Sequence, residues 1–258
     1  MVAIGFVSAK GSPGCTTTVL ALSHAWLDLP GRRRVVIAEC DPAGGDVARG
    51  YLRGTLDGDR GIVALAVGRN SDGVAAVWDQ LLALDSDGRQ LLLAGITDPS
   101  QGASLEAASG ILRGAITDFT RQVPPLDVLV DLGRLHTQQE PRALWGGLDQ
   151  LILVTRSSLV SVAAAEASVR NLVAEDLGLA LGVLVVGEGQ PYTATEIATA
   201  LALPLVGTLP YDPAGAAVFS GLASTSRRTA RSPLVRSVRQ LAGTLLTDVP
   251  IVSELADV

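Results

Sequence analysis

A glycine-rich segment near the N-terminus reads Ala9-Lys10-Gly11-Ser12-Pro13-Gly14-Cys15-Thr16-Thr17. It follows an apolar run, Val2–Val7, that is typical of a strand, and it leads into a helical pattern over Thr17–Leu27. A strand, a glycine-rich turn and a helix start together present backbone N–H groups and the positive end of a helix dipole to an anion. Lys10 is the only lysine in the 258-residue chain. A lone lysine at this position predicts a phosphate-binding turn.

This segment resembles the deviant Walker A loop of the ParA/MinD ATPases, whose pattern is Lys-Gly-Gly-x-Gly-Lys-[Ser/Thr]-[Ser/Thr]. By that resemblance Lys10 reaches the partner subunit's phosphates in an ATP-bound dimer, and Thr16 binds Mg²⁺ through its hydroxyl. Cys15 stands where an ordinary P-loop has the lysine that contacts the β- and γ-phosphates. Because a neutral thiol cannot neutralise phosphate charge, we expect weakened nucleotide affinity or weakened hydrolysis. The resemblance assigns nucleotide contacts to Lys10, Gly11, Ser12, Gly14, Cys15, Thr16 and Thr17.

The composition predicts one sizeable α/β domain with an aliphatic core. Hydrophobic residues make up 48% of the chain and aromatic residues only 3%, which favours a parallel sheet buried on both faces by helices. The net charge of −6 excludes a general polyanion binder, so contact with DNA or an anionic membrane needs a local basic patch. No apolar run is long enough to cross a bilayer and the first strand begins at once, so we expect a cytoplasmic protein.

Strand and helix patterns alternate along the chain. The strand-like runs are Val2–Val7, Arg34–Ala38, Leu91–Ala94, Asp127–Val130, Gln150–Thr155, Leu181–Val186 and Leu205–Thr208. The helix-like runs are Thr17–Leu27, Val74–Leu84, Leu105–Phe119, Leu159–Glu175 and Ala194–Leu201. This alternation predicts a doubly wound, mostly parallel sheet with helices on both faces, in which ligands bind beyond the carboxyl ends of the strands. Residues 40–60 and 68–73 are rich in glycine and aspartate and are predicted to be loops.

A second candidate site element, Glu39-Cys40-Asp41-Pro42-Ala43-Gly44-Gly45-Asp46, follows the second strand. An acidic residue at a strand tip beside a P-loop can hold a metal-bound water or orient an attacking water. The Asp-Pro step resembles switch I of the same superfamily, and by that resemblance Asp41 activates water directly or through Mg²⁺. Taken alone the segment is also consistent with a plain turn. Its distance from the glycine-rich segment favours the functional interpretation.

A third element, Leu126-Asp127-Val128-Leu129-Val130-Asp131-Leu132-Gly133, resembles a Walker B strand followed by switch II. The resemblance implies that Asp131 holds Mg²⁺ through water and that the Gly133 N–H meets the γ-phosphate. Many relatives carry a proline-rich tail after this aspartate. Here Leu132, Arg134 and Leu135 take its place, so this switch II departs from the family pattern.

Two later segments concern the nucleotide base. Residues 183–187 end in Gly187 where relatives have an asparagine that reads adenine. The segment Gly207-Thr208-Leu209-Pro210-Tyr211-Asp212 resembles the family loop beside the base, which implies that Pro210 and Asp212 contact the nucleotide. Residues 151–158 resemble the strand before a dimer-facing helix. In all, a ParA/MinD-like domain is predicted over residues 1–222.

Residues 223–258 are predicted to be a basic segment and an amphipathic helix docked on the same domain. Ser232-Pro233 is typical of a helix start, and apolar residues then recur at helical spacing from Leu234 to Leu246. Three interpretations remain open: a docked helix with a solvated basic face, a patch for nonspecific DNA binding, or a membrane-surface helix, although lysines and bulky aromatics are missing. The arginines concerned are Arg227, Arg228, Arg231, Arg236 and Arg239.

The two cysteines, Cys15 and Cys40, are predicted to be free thiols near the phosphate pocket. Their spacing matches no zinc or iron–sulfur pattern. A helix N-terminus can lower the pKa of a thiol, which would make Cys15 reactive. A regulatory disulfide between the two cysteines is a further interpretation, but we favour a small thiol that fills space.

Together these features predict a ParA/MinD-like nucleotide-dependent switch. By the resemblance it binds ATP or ADP with Mg²⁺, dimerises through Lys10, hydrolyses ATP weakly or not at all, and positions a larger assembly through a protein partner. Pilus or secretion machinery is the first cargo and DNA partition the second. The alternative is a non-catalytic pseudo-ATPase scaffold, which Cys15 favours, whereas Thr16, Asp41 and Asp131 favour remaining nucleotide chemistry. A biosynthetic enzyme of the superfamily would need catalytic lysines beyond Lys10, which the chain lacks.

Overall fold

The computed structural model of the protein describes residues 1–10, 13–56, 60–68, 73–135, 141–174, 178–224, 226–227 and 229–246. The strands in these residues are β1 Ala3–Ser8, β2 Val35–Glu39, β3 Leu82–Ala83, β4 Gln90–Leu93, β5 Asp127–Arg134, β6 Gln150–Arg156, β7 Ala180–Val186 and β8 Leu205–Leu209. They form an eight-stranded sheet in the order β3-β4-β2-β5-β1-β6-β7-β8. Neighbouring strands are parallel except that β3 pairs antiparallel with β4.

Helices cover both faces of this sheet. They are α1 Cys15–Trp26, α2 Ile62–Val67, α3 Val74–Gln80, α4 Gly102–Arg121, α5 Arg142–Trp145, α6 Leu159–Ala174, α7 Ala194–Leu201, α8 Pro213–Phe219 and α9 Pro233–Leu246. Buried apolar side chains form two clusters, one under α2 to α7 and the other under α1, α8 and α9. The predicted doubly wound, mostly parallel α/β fold is confirmed.

The central strand β1 explains why the strands read as continuous apolar runs. Ala3 and Val7 join one buried cluster, whereas Ile4 and Phe6 join the other. Successive side chains of a strand point to opposite faces, and here both faces are covered. An apolar residue is therefore required at nearly every position of such a strand.

A buried carboxylate fixes the first helix to the opposite end of the sheet from the strand carboxyl ends. Asp127, the first residue of β5, is fully buried and accepts hydrogen bonds from the Val2 N–H (2.9 Å) and the Trp26 Nε1–H (2.8 Å). The Arg33 guanidinium completes the set with an ion pair at 2.8 Å. A buried carboxylate is stable only when paired and hydrogen-bonded, so this cluster holds the C-terminal end of α1 beside the start of β5.

The predicted helix over Val74–Leu84 was wrong at its C-terminal end. Helix α3 ends at Gln80, and the chain then turns back so that Leu82–Ala83 forms β3 beside β4. The Asp85 carboxylate holds this turn by accepting hydrogen bonds from the N–H groups of Arg89 (2.8 Å) and Gln90 (2.9 Å). The spacing of apolar residues does not reveal the turn between β3 and β4, because that turn depends on hydrogen bonds to the Asp85 side chain.

Several short helical segments were missed. The predicted loop over residues 40–60 contains a π-helical turn at Val47–Tyr51, and α2, α5 and α8 were not predicted. Segments this short do not complete the apolar repeat that identifies a helix. Glu175, the predicted end of α6, and residues 69–72 of the second predicted loop lie outside the described residues.

The C-terminal helix packs on the same face as α1. It contacts α1 and β8 through side chains that are buried: Leu234, Val238, Leu241, Ala242 and Leu245. Its apolar stripe is therefore covered by the fold. In the described part of the chain, no helix is both long and apolar enough to cross a membrane.

Candidate functional site

The residues predicted to bind phosphate and Mg²⁺ lie together beyond the carboxyl ends of β1, β2 and β5. These three strands are neighbours in the sheet. Thr16 lies in the first turn of α1 after β1, Asp41 follows β2, and Asp131 lies near the end of β5. Lys10 is exposed beside them, whereas the predicted contacts Gly11 and Ser12 lie outside the described residues.

The first turn of α1 is left open for an anion. Gly14 precedes it with φ +106°, a backbone conformation that favours glycine, and no hydrogen bond from a capping side chain and no acidic residue occupies this turn. By contrast, Thr193 and Glu196 cap α7, and Asp212 caps α8. The first N–H groups of a helix have no partner within it, so α1 offers them to a ligand beside Gly14 and the half-buried Thr17.

Cys15 is a buried, neutral thiol. It is 7% exposed, and burial, with a further contribution from Asp131, raises its pKa well above the usual value. Burial therefore disfavours a reactive Cys15 and favours the predicted small thiol that fills space. Cys40 is also free and buried, and burial raises its pKa as well. Neither thiol supplies a charge to the cleft.

Thr16 and Asp131 are in direct contact. The Thr16 hydroxyl donates a hydrogen bond to Asp131 Oδ2 at 2.5 Å, and the Gly133 N–H donates to Oδ1 at 3.0 Å. Burial raises the pKa of Asp131 to about 6, although the Thr16 hydrogen bond opposes that rise. A hydroxyl and a carboxylate side by side are ligands that suit Mg²⁺. The Gly133 N–H was predicted to meet a γ-phosphate. In the structure it donates its hydrogen bond to the Asp131 carboxylate instead.

Asp41 lies against Gly133, so the segment that follows β2 contacts the end of β5. Its carboxylate accepts a hydrogen bond from the Ala43 N–H at 2.8 Å, which closes a turn after β2. Gly133 has φ +66°, and a Cβ atom there would collide with the Asp41 carboxyl group. Burial raises the pKa of Asp41. Glycine at position 133 is thus required both by the backbone conformation and by this close approach.

Glu39 is a site residue that the sequence analysis missed. This last residue of β2 is buried, and its carboxylate accepts hydrogen bonds from the Val47 N–H (2.8 Å) and the Gly95 N–H (3.0 Å). A Cβ atom at Gly45 would collide with it, and burial raises its pKa to about 7. Glu39 therefore holds the loops after β2 and β4 in place. The glycines at 44 and 45, close to a strand-terminal acid, were the available signal.

An open cleft of about 180 Å³ lies next to the start of α1. The residues that line it include Gly14, Thr17, Arg156, Val186, Pro210, Tyr211 and Asp212. The Arg156 guanidinium lies 5.2 Å from the centre of the Tyr211 ring, a cation–π distance. Sequence analysis assigned no role to either residue. A flat aromatic face and aliphatic walls beside an anion site can hold a nucleotide base.

Asp212, a predicted nucleotide contact, serves two helices. Its carboxylate accepts hydrogen bonds from the Gly215 N–H (3.0 Å) at the start of α8 and from the Leu234 N–H (3.2 Å) at the start of α9. These bonds lower its pKa, against an opposing effect of burial that is the largest single influence. Asp212 thus links the wall of the cleft to the C-terminal helix.

The predicted arginine patch is only partly available to a ligand. Arg239 pairs with Asp28 at 3.2 Å, and Arg236 Nη1 donates to the Arg231 carbonyl at 3.0 Å. Arg227 is exposed, and Arg228 lies outside the described residues. The described arginines therefore form a solvated face that is partly engaged within the fold.

Replacing Gly133 by alanine is expected to destabilise the protein more than the same change at Gly88. Both glycines have a similar positive φ, +66° and +61°, but nothing lies within 4 Å of the added methyl group at Gly88. Gly88→Ala should cost about 1 kcal/mol of backbone strain, whereas Gly133→Ala, which must also displace Asp41, should cost at least about 2 kcal/mol. Urea unfolding measures both. Equal losses in the free energy of unfolding would show that the Asp41 side chain moves away from the added methyl group without cost.

Replacing Asp131 by asparagine is expected to stabilise the metal-free protein at alkaline pH. Burial raises the pKa of Asp131 in the folded protein to about 6, above the ordinary aspartate value of about 3.9, so folding stability falls as pH rises from about 4 to about 6, by about 3 kcal/mol. Asp131→Asn removes the charge; its Oδ1 can still accept the Gly133 N–H, and its Nδ2 can donate to the Thr16 hydroxyl, which reverses that hydrogen bond. Urea unfolding with a chelator should show its advantage over wild type growing from about pH 4 to about pH 6 and then levelling off.

The matched control for this pH effect is Asp87→Asn, which changes an exposed carboxylate 3.9 Å from Arg89. An exposed pair contributes little to stability, so no growing advantage is expected there. Parallel pH curves for wild type and Asp131→Asn would contradict the burial of an uncompensated charge at position 131.

The sequence matches no protein-family model and no curated protein. The structure, by contrast, is similar to solved ParA and MinD proteins. The ParA family ATPase from Chlorobium tepidum TLS has 16% identity and a TM-score of 0.72, over 93% of this chain and 98% of that one. MinD from Pyrococcus horikoshii OT3, complexed with Mg-ADP, has 18% identity and a TM-score of 0.74, over 95% and 96%.

The MinC:MinD cell division complex of Aquifex aeolicus provides a third similar structure, with 16% identity and a TM-score of 0.74, over 97% of this chain and 98% of that one. At such low identities the similarity bears on the fold. The chain therefore has the fold of the ParA/MinD P-loop ATPases.

Proposed function

We propose that the protein is a ParA/MinD-like nucleotide-dependent switch that binds ATP or ADP with Mg²⁺ and positions a larger assembly. The observation that carries this proposal is the contact between Thr16 and Asp131 beside the open first turn of α1. Anion donors and oxygen ligands for a cation thus lie next to each other, as a nucleotide with its metal requires. MinD from Pyrococcus horikoshii, which shares the fold, holds Mg-ADP.

The described residues fit both groups. Thr16, Asp131 and, through water, Asp41 would hold Mg²⁺, which neutralises phosphate charge when bound. The first-turn N–H groups of α1 would hold phosphate, and the cleft beside Tyr211 would hold the base. The raised pKa of Asp131, caused chiefly by burial, indicates a carboxylate that a bound cation would stabilise.

Hydrolysis is proposed to be weak or missing because Cys15 is buried and neutral. The lysine of an ordinary P-loop contacts the β- and γ-phosphates, and a thiol cannot replace its charge. Asp41 remains placed to orient water. The alternative function, a pseudo-ATPase scaffold without turnover, is favoured by the same cysteine.

The proposed switch dimerises through Lys10 and acts through a protein partner. Lys10 is exposed at the mouth of the site, which suits a contact with a second subunit. The MinD of Aquifex aeolicus forms a complex with MinC, which supports a protein partner. We favour pilus or secretion machinery as the assembly over DNA partition, because Arg236 and Arg239 are engaged within the fold. The buried apolar stripe of α9 likewise disfavours a membrane surface.

Lys10→Ala is expected to abolish ATP-dependent dimerisation, because it removes the cation that would reach the partner's phosphates. Light scattering of wild type with Mg²⁺ should show a larger dimer fraction with ATP than with ADP, and this difference should vanish in Lys10→Ala. Arg121→Ala is the control, since it removes one exposed positive charge at the end of α4. A dimer fraction unchanged by Lys10→Ala would remove the proposed role.

A further inference from the structure

The phosphate end of the cleft carries an excess of negative charge. Its carboxyl groups are those of Glu39, Asp41, Asp46 and Asp131. Glu39 pairs in register with Asp131 on the neighbouring strand, Asp41 lies against Gly133, and Asp46 follows Gly45, which packs on the Glu39 carboxylate. A nucleotide triphosphate with one Mg²⁺ still brings negative charge to this place. Cys15 contributes no charge, and Lys10 is proposed to act on the partner subunit. The site within one subunit therefore needs another cation.

Arg134 lies at the same end of the sheet as these carboxyl groups. It is the last residue of β5 and pairs in register with Ser8, the last residue of β1 before the glycine-rich segment. Two hydrogen bonds fix this backbone: the Leu135 N–H donates to the Ser8 carbonyl at 2.8 Å, and the Ser8 hydroxyl donates to the Gly133 carbonyl at 3.3 Å. Arg134 is thus mounted on a rigid strand beside the phosphate-binding turn.

The side chain of Arg134 is exposed, and no hydrogen bond or ion pair joins it to another described residue. Its charge acts on Asp41, where burial raises the pKa and Arg134 opposes that rise. Two other arginines near the sheet are engaged elsewhere: Arg33 pairs with Asp127, and Arg156 lies over Tyr211. Arginine also suits phosphate, because its planar fork donates two parallel hydrogen bonds.

We propose that Arg134 replaces the missing P-loop lysine and binds the terminal phosphate of the nucleotide from the switch II side. This inference rests on the proposed nucleotide binding at the same cleft. It gives a reason for the unusual sequence after Asp131, where an arginine stands in place of a proline-rich tail. It also places the recognition of the third phosphate on β5, next to Asp41 and Gly133, rather than on α1.

Arg134→Ala is expected to weaken binding of Mg-ATP at least about tenfold, which is about 1.4 kcal/mol, and to weaken Mg-ADP much less. Calorimetry measures both affinities. Arg134→Lys should keep most of the ATP affinity, because the charge remains, although the paired hydrogen bonds are lost. Arg121→Ala, the change of an exposed arginine at the far end of α4, should leave both affinities unchanged.

A double-mutant cycle with Cys15→Lys tests the replacement itself. If a lysine at position 15 and Arg134 serve the same phosphate charge, the two changes are not additive. Cys15→Lys should therefore raise the ATP affinity of Arg134→Ala by a larger factor than it raises that of wild type, and equal factors would contradict the replacement. Thermal melts establish that each variant is folded. If Cys15→Lys does not fold, the ATP and ADP affinities of Arg134→Ala and Arg134→Lys test the proposal.

The failure of this inference and the failure of the proposed function give different results. If wild type binds ATP and Arg134→Ala binds it equally well, the role of Arg134 is overturned and the proposed function stands. If wild type binds no nucleotide, the proposed function is overturned and this inference with it. An equal loss of ATP and ADP affinity in Arg134→Ala would also overturn the assignment to the terminal phosphate.

Discussion

Two buried carboxylates, Glu39 and Asp131, hold the loops around the cleft, and the rest of the site depends on them. Glu39 at the end of β2 accepts the N–H groups of Val47 and Gly95, and Asp131 in β5 accepts the Thr16 hydroxyl and the Gly133 N–H. Each carboxylate thereby connects a strand to a segment distant in sequence. Buried backbone donors need such acceptors, so the loops could not take these positions around an apolar core alone.

This arrangement leaves negative charge inside the fold. Burial raises the pKa of Glu39 to about 7 and that of Asp131 to about 6, which means that ionising either group works against folding. Proteins retain unfavourable charge of this kind chiefly where a ligand uses it. A divalent cation bound by Thr16 and Asp131 would lower the cost of this buried negative charge. An anion at the uncapped start of α1 would then bind both the cation and the N–H groups of the helix. The proposed function places Cys15, a buried and uncharged thiol, at the position where an ordinary P-loop has a lysine.

Much of the architecture could be predicted from the sequence because its signal is periodic. Strands buried on both faces, such as β1 and β5, read as apolar runs, and α7 was predicted with its bounds as observed. The β3 hairpin and the short helices could not be predicted, since Asp85 sets the turn through its side chain and α5 spans four residues. In the site, Glu39 was missed because its partners are backbone groups that only the fold brings near. The sequence identified Cys15 as an uncharged thiol at the start of α1, but it could not show how deeply the fold buries this side chain, because burial depends on the packing of other elements.

The central claim is that this cleft still binds a nucleotide with Mg²⁺ although position 15 carries no lysine. Calorimetric titration of wild type with ATP, in the presence and absence of Mg²⁺, tests it most directly. The account predicts Mg²⁺-dependent binding in the micromolar range, about −8 kcal/mol, because the helix start, Thr16, Asp131 and Arg134 together supply donors, ligands and charge. Absence of binding at millimolar ATP would contradict it, and the fold would then serve as a scaffold whose function lies in its protein partners.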